Sequence, residues 1–76
     1  MEIQEFIKNF AAQFEETYSA SFTPETKFRD IEEWSSLIAL SIIAMVDEEY
    51  NVKIKGDEIR GCKTINEIYA IVMARL

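Results

Sequence analysis

The sequence has no histidine and a single cysteine, Cys62. Without histidine the commonest general base is missing, and neither a Ser–His nor a Cys–His pair can form. Cys62 sits between Gly61 and Lys63, where a neighbouring cation could lower its pKa, but a lone cysteine is more commonly a packing residue. Metal binding finds no support either. There is no histidine or second cysteine to ligate zinc, and "DEEYNVKIKGDE" lacks the spacing of a calcium loop. A catalytic or metal-bearing role is therefore not expected. One cysteine makes no disulfide, and with no signal peptide the economical setting is a reducing, cytoplasmic one. Long apolar runs are missing too. The greasiest stretch, 37–46, is interrupted by Ser41 and closed by Asp47, Glu48 and Glu49, well short of the roughly 20 residues a membrane span needs. Basic residues are few, eight against fourteen acidic, for a net charge of −6. That balance disfavours nucleic acid and anionic membranes, and favours a partner with a basic surface.

A chain of 76 residues forms one domain, 1–76, with a thin core, since such a length buries only about 60% of the surface its unfolded form exposes. Ile3, Phe6, Ile7, Phe10 and Phe14 fall on one helical face and predict a first helix over 2–17. Residues 19–35 hold Pro24 and small hydroxyl residues without a sustained period, and read as a long connection. Phe22, Phe28, Ile31 and Trp34 within it predict that the connection packs down on the helices. A second helix spans 36–50, and Asp57–Arg60 can make one further turn. Thr64 followed by Glu67 is a capping-box spacing, and Ile65, Ile68, Tyr69, Val72 and Leu76 continue a stripe to the chain end. The expected fold is all-α: a small four-helix bundle of three main helices and one short one, with the long loop between the first two.

The second helix is unusual because it is apolar on two sides. At 100° per residue, Ala39, Ile42, Ile43, Val46 and Tyr50 gather on one face and suit a core. Leu37, Leu40 and Ala44 gather on the opposite face, bordered by Ser41, Asp47 and Glu48, while Ile38 and Met45 fall towards the rim. Two readings stand for the second face. Loop 19–35 folds over Leu37 and Leu40, or the face is a docking surface with an apolar centre and a charged rim. Ser35 and Ser36 open the helix, and either suits an N-cap. The same helix end favours a negative group such as a phosphate, so a serine there can cap the helix or carry an attachment.

These residues resemble the acyl and peptidyl carrier protein family, whose members carry a 4'-phosphopantetheine arm, derived from coenzyme A, on the serine of an Asp-Ser-Leu motif. The resemblance runs through "FTPETKFRDIEEW" before the motif, "ALSIIAMVDEEYNVKI" after it and "KTINEIYAIV" as last helix. By position it implies that Ser36 is the modified serine. It also implies that Ser35, Leu37, Leu40, Ser41, Ala44, Asp47 and Glu48 meet partner enzymes, and that Ile42, Val46 and Tyr50 are interior. The implied protein is a monomeric carrier of acyl thioesters in fatty-acid, polyketide-like or other specialised acyl biosynthesis. Its partners would be a phosphopantetheinyl transferase and acyl-loading and acyl-processing enzymes with basic docking surfaces. The chain departs from the family at Ser35, where aspartate is usual; Asp30, Glu32 and Glu33 lie just upstream as substitutes for the missing charge. Trp34 beside the motif resembles free-standing carriers of specialised pathways. The rival reading is a carrier-like interaction module that carries nothing, docks through its second helix and uses Ser36 only as a cap.

Overall fold

The computed structural model describes residues 2–15, 17 and 21–76. Among them four helices follow in order: α1 (Ile3–Ala11), α2 (Ser36–Tyr50), α3 (Gly56–Arg60) and α4 (Ile65–Arg75). No β-strand forms among the described residues; an isolated bridge pairs Lys27 with Thr64. The all-α bundle with a long α1–α2 connection is the expected architecture.

The first helix is shorter than its hydrophobic period. The stripe predicts a helix to residue 17, but α1 ends at Ala11, and residue 16 of the expected span lies outside the described residues. The last turn tightens, with Gln13 N–H donating to the Phe10 carbonyl at 3.1 Å and Phe14 N–H to that of Ala11 at 3.0 Å. Phe14 therefore keeps its inward direction, 6% exposed, without being helical. Beyond it the chain is held by a carboxylate. Glu33 accepts the backbone N–H of Glu15 at 2.6 Å and of Thr17 at 2.9 Å, and the Thr17 hydroxyl at 2.8 Å.

The connection before α2 is packed rather than loose; its expected residues 19 and 20 lie outside the described residues. Phe22 and Phe28 are buried, and Ile31 and Trp34 pack against the core. Phe28 opens a single 3-10 turn, Phe28–Asp30. Aromatic rings connect this segment to α1 and the turn after it: Phe10 lies 5.9 Å from Phe28 and Phe14 5.0 Å from Phe22, while within the segment Phe28 lies 4.8 Å from Trp34. Such separations suit tilted and edge-to-face ring packing. The segment also reaches the start of α4, where Ile65 N–H donates to the Thr26 carbonyl and Asn66 N–H to that of Pro24.

The capping box expected before the last helix is formed. Thr64 Oγ1 accepts the Glu67 N–H at 3.3 Å, and Glu67 Oε1 accepts the Thr64 N–H at 2.9 Å. At the other end Arg75 reaches back to the Lys53 carbonyl and to Glu58, tying α4 to the start of α3. Leu76, expected to extend the α4 stripe, lies past the helix end and is 62% exposed. One contiguous core joins Phe6, Phe10, Phe28, Ile42, Val46, Ile65, Ile68 and Val72 with the remaining buried side chains. Cys62 belongs to it, and burial raises its thiol pKa, consistent with a packing role.

Candidate functional site

The bounds of α2 follow from its ends. At the N-terminus Ser35 has extended backbone, and its Oγ accepts the Ile38 N–H at 3.3 Å. At the C-terminus Asn51 adopts the left-handed conformation, φ 55°, and its N–H returns to the Asp47 carbonyl. Asparagine tolerates that conformation better than most residues, so the helix stops there without a glycine.

The cap divides two roles that adjacent serines left open. Ser35 is the N-cap, whereas Ser36 is the first helical residue. Ser36 is exposed, and among the described residues no hydrogen bond engages its hydroxyl. Its oxygen thus projects at a helix start where unpaired N–H groups and the helix dipole favour an anion.

Along α2 the two apolar faces differ in exposure, and they meet at a cleft that both Leu40 and Ile43 line. Ile42 and Val46 are fully buried and Met45 is 7% exposed. Met45 is thus a core residue and not the rim residue that a 100° wheel suggests. Ala39 and Ile43, expected in the core, are only half-buried and face a cleft against α3. Tyr50 is half-buried, with its hydroxyl accepting from Asn9 Nδ2 at 2.7 Å; burial raises its pKa, so it stays protonated at neutral pH.

On the other face Leu37 is 73% and Leu40 62% exposed. The described residues of the α1–α2 connection do not cover them, and that reading is set aside. Ala44 and Glu48 are exposed beside them, while Ser41 and Asp47 are half-buried. These residues, from Leu37 to Glu48, form one strip on α2. Asp47 has a neighbouring cation, Lys53 Nζ at 3.5 Å, in an exposed pair of the kind that contributes little to stability.

The acidic residues upstream of the motif do not act alike. Asp30 and Glu32 are exposed. Glu33 holds the chain after α1, so its charge is committed to backbone N–H groups and not offered to a partner.

Sequence reasoning allowed for a short acyl chain sheltered between helices, but it did not place the cleft beside Ser36 or name its lining. The cleft has a volume of about 590 Å³ and is walled by Trp34, Ala39, Leu40 and Ile43 on one side and Ile59 of α3 on the other. Ser35 and Ser36 lie on its lining, as do Arg29 and Arg60. Arg29 builds this arrangement by donating Nη1 to the Arg60 carbonyl at 2.6 Å and Nη2 to the Cys62 carbonyl at 2.7 Å. Those bonds span more than thirty positions, so no local pattern announces them. The thin, isoleucine-rich core was the visible hint.

A helical bundle with an unbonded serine at the start of its second helix, beside an open apolar cleft, suits a protein that carries a tethered group. The chain matches the family described as "Phosphopantetheine attachment site" over residues 5–72, and it belongs to that family. No match is found among curated proteins. The family assignment makes this a phosphopantetheine-carrying carrier protein and not a catalyst. It also implies encounters with a phosphopantetheinyl transferase and with enzymes that process the cargo. The residues present fit the prosthetic group: an accessible hydroxyl without a competing bond, unpaired N–H groups for a phosphate, and an open cleft alongside. Among the described residues no helix is long and apolar enough to cross a membrane.

Proposed function

We propose that the chain, as a single carrier unit over 1–76, bears its 4'-phosphopantetheine arm on Ser36 and delivers acyl groups to the enzymes of an acyl biosynthetic pathway. The observation that carries this reading is the contrast between the serines: Ser35 is engaged as a cap, while Ser36 is exposed and unbonded. In loading, Ser36 Oγ attacks the coenzyme A phosphorus that bears the pantetheine. The new P–O bond forms as the bond to adenosine 3',5'-bisphosphate breaks, and the hydroxyl proton passes to a base on the transferase. The attached group supplies a terminal thiol that holds acyl groups as thioesters; the protein supplies recognition and delivery.

Recognition falls to the exposed strip of α2. Leu37, Leu40 and Ala44 give it an apolar centre, and Ser35, Ser41, Asp47 and Glu48 a polar and acidic rim suited to enzymes with basic docking surfaces. The cleft next to Ser36 offers the acyl chain partial shelter. A buried lone cysteine accords with a reducing, cytoplasmic setting, and the monomer implied by the family resemblance is part of this reading.

The test is an intact mass after incubation with coenzyme A and a broad-specificity phosphopantetheinyl transferase. One added phosphopantetheine is expected for the wild type and for Ser35→Ala, and none for Ser36→Ala. Addition at Ser35, or no addition with the wild type, overturns the assignment.

A further inference from the structure

The cleft beside Ser36 runs against the charge of the molecule. The chain has fourteen acidic and eight basic residues, yet among the described residues the cleft is lined by two arginines and by no aspartate or glutamate. Its other walls are apolar: Trp34, Ala39, Leu40, Ile43 and Ile59. The two cations differ. Arg60 is paired with Asp57 on its own helical turn. Arg29 bonds two carbonyl oxygens and, among the described residues, has no carboxylate within ion-pair distance. Its carbonyl bonds, and the Phe28 ring 5.7 Å from its guanidinium carbon, hold the group in place. Only two of the five N–H donors of a guanidinium are used in this way.

An apolar trough with a fixed guanidinium on its lining, one without a carboxylate at ion-pair distance among the described residues, has the chemistry of a site for a chain with a charged tip. Resting on the carriage reading above, we propose that this cleft favours acyl groups that end in a carboxylate, with the methylenes against Ile43 and Ile59 and the carboxylate on Arg29. A carboxylate gains charge-assisted hydrogen bonds there. On most of this acidic surface it would instead be repelled. The phosphate of the arm is common to every acyl form, so it does not distinguish one cargo from another.

Hexanoyl and adipoyl groups, equal in carbon count, provide the comparison. The wild type is loaded with each from its coenzyme A thioester, and loading is confirmed by intact mass. Thioester cleavage by hydroxylamine is then timed and normalised to the free acyl-pantetheine. The adipoyl form should be cleaved about two- to fivefold more slowly, the range that an exposed ion pair supports. Its NMR spectrum should show shifts at the Arg29 Nε–H and at the Ile43 and Ile59 methyls that the hexanoyl form does not reproduce. Arg29→Gln should abolish the difference in rate, and Arg60→Gln should preserve it. Equal normalised rates and matching spectra for the two wild-type forms overturn the inference while leaving the carrier reading intact. A wild type that accepts neither group overturns both. Because the wild-type pair decides the matter, the outcome does not depend on how well either variant folds.

Discussion

Ile42 and Leu40 are two positions apart on α2, and their surroundings are opposite. Ile42 is fully enclosed, whereas Leu40 is 62% exposed. Both are large and aliphatic, so hydrophobicity does not separate them; the elements opposite them do. α1 packs on the Ile42 side, and nothing among the described residues closes over Leu37 and Leu40. One helix thus carries a buried structural face and an exposed apolar face made of the same residue types, the latter being the face proposed for recognition. The division explains why α2 lacks the single stripe of an ordinary surface helix.

The largest effect expected from this contrast is on the inward face. Ile42→Ala removes a fully buried side chain and should cost about 2–5 kcal/mol of unfolding free energy in a denaturant titration. In a domain this small, that is a large share of the total. A cost below about 1 kcal/mol would mean that α2 is not anchored through Ile42.

The serine pair gives a smaller and differently divided effect. Ser35→Ala removes the acceptor for the Ile38 N–H and should lower stability by about 0.5–2 kcal/mol, with the loading site kept. Ser35→Asp keeps a good cap and adds negative charge beside the helix start, so it should speed loading by the transferase at near-constant stability. A stopped-flow or timed mass assay that finds equal loading rates would show that the exposed Asp30 and Glu32 already supply the charge.

The smallest effect concerns acid. The backbone N–H groups of Lys63 and Thr64 hold the Glu67 carboxyl below the usual carboxylate range, and Arg75 with the Lys55 N–H does so for Glu58. A depressed folded-state pKa contributes stability above the unfolded carboxylate value and loses it as pH falls through the folded one. Melting temperature should therefore drop through and below the carboxylate range, and Glu67→Gln should flatten that slope. An unchanged slope would mean that the capping box does not persist in solution.

Much of this arrangement was legible in the sequence where the signals are local. The serine pair at the start of α2 and the Thr64–Glu67 spacing mark helix starts, and the hydrogen bonds of Ser35 and of the Thr64–Glu67 box confirm each. Ser36 and the strip of Leu37, Leu40 and Ala44 were picked out as positions, although two readings of the strip remained until the exposure of Leu37 and Leu40 was seen. What was not legible depends on distant contacts. The end of α1 was hidden because Phe14 keeps its period through a tightened turn. Glu33 looked like a free charge, but it binds backbone N–H groups sixteen and eighteen positions away. Met45 was placed on the rim by an ideal wheel, yet it is buried in the core. The lining of the cleft includes Arg29, whose bonds to the end of α3 no periodicity reveals.

The division of α2 into two faces is tested most directly by Leu40→Ala, measured for melting temperature and for acyl transfer to a partner enzyme, beside Ile42→Ala. The account predicts a melting temperature nearly unchanged for Leu40→Ala with a clear fall in transfer rate, and a large loss of stability for Ile42→Ala. Were Leu40→Ala as destabilising as Ile42→Ala, or its transfer rate that of the wild type, the exposed face would not be the recognition surface.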